Sequence, residues 1–402
     1  MRLGVLAHGF VDWAGGIDFL RLVVESLQAA DPGVSLHLLV PDDRSRPGAR
    51  ERAMHAVKAV LRVAGRRTAA SYAPGRRSLE ELAAAAAPAV EVLAVEAGEA
   101  ALLRAVRTHR LDALLPAMIA LPERFPVPWV GYIPDLQYRH LPALFSWHGR
   151  LLSAAGARRM LGAAPVVVVN AQAVARDIAR FHPGARARVV AMPFGAAPHP
   201  SWLGPARPPA EAFGIAPRYL IVCNQFWKHK DHATAFEAFA RIAGTFPDVD
   251  LVCTGALSDH RDPDHVARLR ERLAALGVAS RVHLLGLVPK AEQIALLKGA
   301  VALVQPTLFE GGPGGGAAYD AVSLGVPALL SDIPVNRELD EPGVSYFGAG
   351  DAAALALALA GLLAAPEPPR PSDERLREAG RTRRRAAGAV LLEAVAVATR
   401  GR

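Results

Sequence analysis

Short apolar runs alternate along almost the whole chain with stretches in which apolar residues return every three or four positions. The runs predict strands near 3–7, 35–40, 90–94, 112–115, 128–132, 165–169 and 187–191, then near 218–223, 250–253, 281–284, 301–304 and 327–330. The helical spacing predicts helices near 17–29, 98–108 and 171–181 in the first half, and near 231–243, 264–275, 290–298 and 316–324 in the second. Asn170 reads as the N-cap of the helix at 171, and Ser78 with Glu81 as a capping box. Runs such as PVVVVN and RYLIVCN are continuous rather than alternating. That is the pattern of parallel strands covered on both faces. Strand–helix alternation then predicts an α/β protein with doubly wound parallel sheets.

The alternation breaks once. Residues 193–212, PFGAAPHPSWLGPARPPAEA, hold six prolines and two glycines and read as a linker. The expected organisation is a Rossmann-like domain over 1–195, a Pro-rich linker over 196–212 and a second Rossmann-like domain over 213–372. An arginine-rich C-terminal helix over 373–402, able to pack back on the first domain, completes it. Ligands of such sheets bind beyond the carboxyl ends of the strands, so two of them facing each other would leave an interdomain cleft.

Composition narrows the class. A chain of 402 residues with 51% hydrophobic content can bury two cores. The first residues do not read as a secretory signal, and the longest apolar run, about Ala352–Ala365, is shorter than a bilayer span. The two cysteines, Cys223 and Cys253, read as free thiols in a reducing compartment, and the expected location is cytoplasmic. Net charge is +8, but only five lysines contribute, so arginine abundance says little about function. One cluster exceeds the background: residues 44–77 carry ten basic residues and one acid, with Met54, Val57, Val60 and Leu61 at helical spacing. This fits either a peripheral contact with an anionic membrane at its inner face or a solvated helix face. Nucleic acid is not expected, because Tyr72 is the only aromatic residue among those arginines.

The candidate chemistry gathers at predicted strand exits. In LVQPTLFEGGPGGGAAYDAVSLGVPALLSD, Glu310 follows a strand, a Gly/Pro run containing Gly312, Gly314, Gly315 and Gly316 comes next, and Asp320 lies in the helix beyond. Glycines that bare the backbone beside a helix N-terminus make an anion site, and two carboxylates next to it suit hydroxyl groups. The ligand suggested has a diphosphate in the middle and hydroxyl-rich ends. Lys228 and Lys230, in NQFWKHKDH after another strand, can neutralise a diphosphate. Gly15 and Gly16 lie between the first strand and first helix, where a ligand or a tight turn explains them equally. Asp135 and His140, in YIPDLQYRHLP, also follow a strand. Asp248 and Asp250 precede their strand, at the wrong edge for a ligand, and no zinc-type Cys/His spacing or serine nucleophile motif occurs, so neither metal nor cofactor is expected.

The strand–LFEG–glycine loop–helix–LGVPALLSD sequence, preceded by LGLVPKAEQIALLKGAVALVQP, resembles the C-terminal domain of GT-B glycosyltransferases of retaining family 4. The likeness is strong over about 218–347 and weaker over 1–192, where the GGI loop and the IPD segment carry it. The wording NQFWKHK and IPDLQ is similar to a subgroup of bacterial surface-polysaccharide transferases. The resemblance implies a GT-B fold and transfer of a hexose or deoxyhexose from a nucleotide-diphosphate-sugar donor to a hydroxyl acceptor, with retention and without a metal. Glu310 would contact the donor sugar, Asp320 the ribose, and Leu287 and Val288 the base. The family spaces its two carboxylates by seven residues, whereas nine lie between Glu310 and Asp320. Gln225 stands at the expected arginine position, Lys230 at the lysine position, and Pro134 replaces the histidine of a His-Asp pair, leaving His140 as a stand-in. Front-face attack assisted by the leaving phosphate is the mechanism implied. A sugar-nucleotide epimerase or hydrolase, or a non-catalytic nucleotide-sugar-binding subunit, are the alternatives.

Overall fold

The computed structural model describes residues 1–11, 14–42, 90–96, 98–204 and 211–400. The basic segment 44–77 and the Ser78 capping signal lie outside the described residues. Two parallel sheets organise the chain. The first has seven strands: β1 (Arg2–Leu6), β2 (Ser35–Pro41), β3 (Val90–Val95), β4 (Ala113–Ala117), β5 (Trp129–Tyr132), β6 (Val166–Val169) and β7 (Arg188–Ala191). Their spatial order is β3-β2-β1-β4-β5-β6-β7. The second has six: β8 (Arg218–Cys223), β9 (Val249–Thr254), β10 (Val282–Gly286), β11 (Ala302–Gln305), β12 (Ala328–Ser331) and β13 (Val344–Phe347), ordered β10-β9-β8-β11-β12-β13. Each sheet therefore reverses direction once, between β1 and β4 and between β8 and β11. Such a switch point opens a crevice at the carboxyl edge of a parallel sheet.

The continuous apolar runs become strands buried on both faces. All four valines of β6 are buried, two in each core layer of the first sheet. The helices are α1 (Ala14–Ala30), α2 (Glu99–Thr108), α3 (Gln137–His140), α4 (Trp147–Ala163), α5 (Gln172–Phe181), α6 (His232–Ile242), α7 (His265–Ala275), α8 (Lys290–Gly299), α9 (Gly315–Ser323), α10 (Ala352–Ala364) and α11 (Asp373–Arg400). On α6 the buried Ala235, Phe236, Phe239 and Ile242 form the stripe that covers the second sheet. Helix α4 and strand β13 add to the sequence reading: α4 is rich in Ala, Gly and Arg with a weak apolar stripe, and β13 is a short edge strand. Ser146 caps α4 by accepting the Gly149 N–H, and Asp351 caps α10 through the N–H groups of Ala353 and Ala354.

Asn170 corrects a local expectation. It does not cap α5; the N-cap position is Ala171 and no side chain of its own segment caps the helix. The first N–H groups of α5, on Gln172 and Ala173, instead donate to Glu338 at 2.7 and 2.5 Å. Asn170 turns the other way, and its Nδ2 donates to the Tyr132 hydroxyl at 2.7 Å. A carboxylate brought from the second sheet outcompetes a neighbouring amide because it also complements the positive helix end.

The chain closes on itself through α11. Its Ala387, Leu391, Ala394, Val395 and Ala398 sit in the same core as Leu3, Val5 and Leu20 of the first domain. Arg384 reaches Glu25 on α1, and Arg383 pairs with Glu341 of the second domain at 2.6 Å. The linker is packed as well: Trp202 is buried in the second domain's core, and Arg21 of α1 lies over its ring at 4.7 Å. No helix among the described residues is long and apolar enough to cross a membrane.

The α1–α11 contact depends on Gly388, where an added Cβ would come 1.9 Å from the Ser26 carbonyl oxygen. Gly388→Ala is expected to cost about 1–3 kcal/mol or more, since backbone rather than a flexible side chain must give way. Gly361→Ala, on α10 where a Cβ meets nothing within 4 Å, is expected to stabilise by about 0.5–1 kcal/mol. Thermal melting of the two variants beside the parent chain checks both signs.

Candidate active site

The switch point of the second sheet carries a buried polar chain. Asn224 directly follows strand β8 and Gln305 ends strand β11, and both are fully or nearly fully buried. Asn224 Nδ2 donates to Gln305 Oε1, and Gln305 Nε2 donates to Glu310 Oε1 at 3.1 Å and to the Gly314 carbonyl at 2.8 Å. Lys230 Nζ closes the chain with a direct ion pair to the same Glu310 oxygen. Each side chain is fixed by the next, which is the condition for polar groups to be tolerated at this depth. The sequence reading singled out Glu310 and Lys230 but not Asn224 or Gln305. Their signal was a polar residue closing an apolar run on each side of the switch point.

Glycine fits the loop around Glu310 to its neighbours. Gly314 and Gly315 have φ of +65° and +62°, and a Cβ on Gly315 would lie 2.9 Å from the Glu310 carboxylate. The carboxylate thus rests against the start of α9, whose Gly314 N–H is held by Asn336 Oδ1 at 2.8 Å. The two left-handed residues in succession lie within the stretch that is longer than the family spacing. Gly311 does different work: its Cβ would meet the Pro134 carbonyl at 2.6 Å and the Asp135 side chain at 3.1 Å. Gly312 likewise lies against Asn170, 3.2 Å from that residue's Cβ by the same measure. The Glu310 loop is thereby seated directly on the IPD segment and the β6 exit of the first domain.

Asp135 is part of this contact. Its Oδ1 accepts the Gln137 N–H at 2.7 Å. Burial pushes its carboxyl above the usual range, and the Glu310 carboxylate adds to that, while the Gln137 N–H and the Lys230 ammonium oppose it. His140 lies at the edge of the same cluster. Its Nε2 is 2.6 Å from Asp177 and its ring meets Phe309 at 5.4 Å, so it is held by α5 and by the Glu310 loop together.

A second cluster forms where α1, α8 and α9 meet. Asp320, buried on α9, is paired with Lys290 of α8 at 2.6 Å, and Lys290 lies 3.8 Å from Asp18 of α1. Burial raises the Asp320 carboxyl while Lys290 pulls it down; burial works against the Lys290 charge, but Asp320 and Asp18 hold that ammonium above its ordinary range. Gly15 and Gly16 form the start of α1 just before Asp18. Leu287 and Val288 follow β10, with Leu287 48% exposed and open to a ligand. Lys290 was counted among the scarce lysines but not placed at the site; its partner is thirty positions away, beyond any local spacing rule.

His229 is buried, and Arg261 Nη2 lies 3.2 Å from its Nδ1. Gln225 Oε1 accepts the Ala256 N–H at 2.8 Å, so its amide ties two loops together. Lys228 is exposed, and its backbone N–H donates to Asp259. Arg261, absent from the sequence reading, also donates to Gln137 Oε1 at 3.2 Å and links the two domains beside the site. Asp250 is the second residue of β9 rather than a residue before it; at that amino end it accepts from the Ala216 N–H and pairs with His283.

Known proteins share this architecture. Residues 209–383 match the family model described as Glycosyl transferases group 1, so the second half of the chain carries a domain of that family. No curated protein matches the chain. Across its full length the fold is similar to sucrose-phosphate synthase from Thermosynechococcus elongatus, with TM-score 0.60, 15% identity and coverage of 100% of this chain and 97% of that one. It is similar to HepE of Anabaena, solved with UDP-glucose, with TM-score 0.55, 16% identity and coverage of 100% and 98%. It is also similar to WaaG, described as a glycosyltransferase involved in lipopolysaccharide biosynthesis, with TM-score 0.54, 14% identity and coverage of 97% and 95%. The fold is GT-B.

The loop that bears Lys230 also makes the site acid-sensitive. Burial drives the His232 pKa down to about 3, with His265 and Lys230 adding to the fall; burial, then Lys230 and Arg261, take His229 to about 2. Both imidazoles are neutral in the folded chain, whereas an unfolded histidine takes a proton near pH ~6.5. Their contribution is complete above that pH and is lost as pH falls toward the folded values, by up to about 1.4 kcal/mol per pH unit for each. His232 stacks on Phe226 at 4.0 Å and neither ring nitrogen has a partner. His232→Phe is therefore expected to flatten the acid limb of a stability–pH profile by one histidine's share, read by denaturant unfolding between neutral and mildly acid pH.

Proposed function

We propose that the chain transfers a hexose or deoxyhexose from a nucleoside-diphosphate sugar to a hydroxyl acceptor with retained configuration, in polysaccharide or glycoconjugate assembly. The observation that carries this reading is the Lys230–Glu310 pair at the β8/β11 switch point, facing Asp135 across the Gly311 contact. A diphosphate laid against the start of α9 meets the Gly316 and Ala317 N–H groups, the helix dipole and the Lys230 ammonium. Charge developing on the leaving phosphate is then met by groups already in place, with no protein nucleophile and no metal required. Glu310, held by Gln305, is positioned for the donor sugar's hydroxyls. Asp320 and Lys290 are positioned for the ribose, and the exposed Leu287 with Val288 for the base. Asp135, with a raised carboxyl pKa, and His140 stand on the acceptor side.

The UDP-glucose bound to HepE and the lipopolysaccharide role of WaaG support a UDP-hexose donor and a surface glycan product. The site would be reached from the cytoplasm at the inner face of the membrane, with any contact through 44–77 tested separately by charge reversal at Arg62, Arg66 and Arg67.

Two measurements check the assignment. UDP at 100-fold over its dissociation constant is expected to stabilise the chain by about 2.7 kcal/mol, with GDP and TDP as comparison arms. Lys230→Ala and Glu310→Gln are each expected to lower turnover by roughly 10²–10³ while the fold persists, because each removes a preorganised partner of the reacting group. Near-parental transfer in either variant would sink the reading. Product formed from donor alone, without acceptor, would instead identify an epimerase or hydrolase.

A further inference from the structure

Histidine and carboxylate side chains also meet at the other end of the first sheet from the cleft. His37 is the third residue of β2 and stands in register with Glu91 on the edge strand β3. His109 is the C-cap of α2, the helix packed on that face. Glu91 Oε2 lies 2.8 Å from His37 Nδ1, and Glu91 Oε1 lies 3.6 Å from His109 Nδ1. The three ligand atoms fall within 4.8 Å of one another. Around a tetrahedral zinc ion with bonds of ~2.0–2.2 Å, ligand atoms stand roughly 3.3–3.5 Å apart, so side-chain movement on the order of 1 Å completes the set. Glu91 is 52% and His109 27% exposed, which leaves both free to move and gives an ion a path in.

The geometry differs from that of an ordinary ion pair in two respects. His37 is 2% exposed and its Nδ1 is buried without a hydrogen-bond partner, although the Glu91 oxygen is so near. The oxygen lies off the direction in which the ring nitrogen points. Two ligands that share an ion have this offset, because each points at the ion and not at the other. On its far side, His37 Nε2 lies 3.2 Å from Ser35 Oγ. With the ring proton on Nε2 and donated to that hydroxyl, Nδ1 is a bare lone pair, the state a metal ligand needs. In that tautomer the lone pair and the carboxylate oxygen repel at this separation, and a cation between them relieves the repulsion. The carbonyl end of α2 at His109 favours a cation.

We propose that His37 Nδ1, His109 Nδ1 and the Glu91 carboxylate bind one divalent transition-metal ion of the zinc type, with water as the fourth ligand. Two imidazoles and one carboxylate suit zinc and its neighbours in the first row and not magnesium or calcium, which prefer all-oxygen sets. The ion would fasten β3 and the end of α2 to β2. It would lie at the amino edge of the sheet, away from the sugar-transfer site, and so be structural. No local spacing marks it, because the ligands come from three separate elements and match no Cys/His motif.

Equilibrium dialysis of the full, tag-free, chelator-stripped chain against Zn²⁺ tests the site. One tightly held equivalent is expected, with a melting temperature raised by Zn²⁺ and not by Mg²⁺. Co²⁺ should give the visible absorption of a tetrahedral site. Glu91→Gln and His109→Ala, both at partly exposed positions, should lose that equivalent and the Co²⁺ spectrum, and Ser35→Ala should weaken binding roughly 10–100-fold. Absence of stoichiometric Zn²⁺ uptake by the parent chain, or uptake that survives unchanged in both ligand variants, would overturn the proposal. The parent chain's uptake and Co²⁺ spectrum decide the matter alone should a variant fail to fold.

Discussion

The site depends on how closely one backbone is allowed to approach another. The Gly311–Gly312 peptide lies against Pro134, Asp135 and Asn170, and a single methyl group at Gly311 would meet a carbonyl oxygen at 2.6 Å. Because that approach is allowed, Glu310 and Lys230 of the second domain share an electrostatic environment with Asp135 of the first. The other interdomain ties hold the same pose from different directions. Glu338 occupies the N-terminus of α5, Arg261 reaches Gln137, and Lys290 approaches Asp18. Helix α11 adds its apolar face to the first domain's core after leaving the second. Exposed charged contacts contribute little each, whereas the α11 packing takes apolar side chains out of water.

Within each domain, local pattern and tertiary structure agree, which is why the sheets were legible. Continuous runs such as PVVVVN and RYLIVCN could be satisfied only by strands covered on both faces, and they became the interior strands β6 and β8. Glu310, Lys230 and the glycine loop were legible for a related reason: a parallel sheet places its loops at one edge, so sequence order alone puts strand exits together. The ion pairing of Lys290 with Asp320, the bridging Arg261 and the Glu338 cap were not legible. Each joins residues on different elements, and nothing in local spacing marks such a partner. Asn170 shows the limit most plainly. It is a good N-cap by composition, yet a carboxylate more than a hundred positions away serves the helix end better.

The polar chain Asn224–Gln305–Glu310–Lys230 has a consequence for how the site would work. Burying an acid and a base costs several kcal/mol in lost hydration, and the cost is met only when every remaining lone pair and proton has a partner. Here the carboxylate is held from one side by Gln305, whose own amide is held by Asn224 and by the Gly314 carbonyl. Glu310 therefore has little freedom to follow Lys230, whereas the lysine sits at the end of a flexible stem. A phosphate at the start of α9 would compete for the ammonium now paired with Glu310, and the carboxylate it leaves would be freed to accept from sugar hydroxyls. Donor binding would in this way exchange one internal ion pair for two ligand contacts without moving the backbone. On the proposed function, rigidity of the Gln305–Glu310 arm, more than the strength of the Lys230 pair, would set how well the donor is oriented.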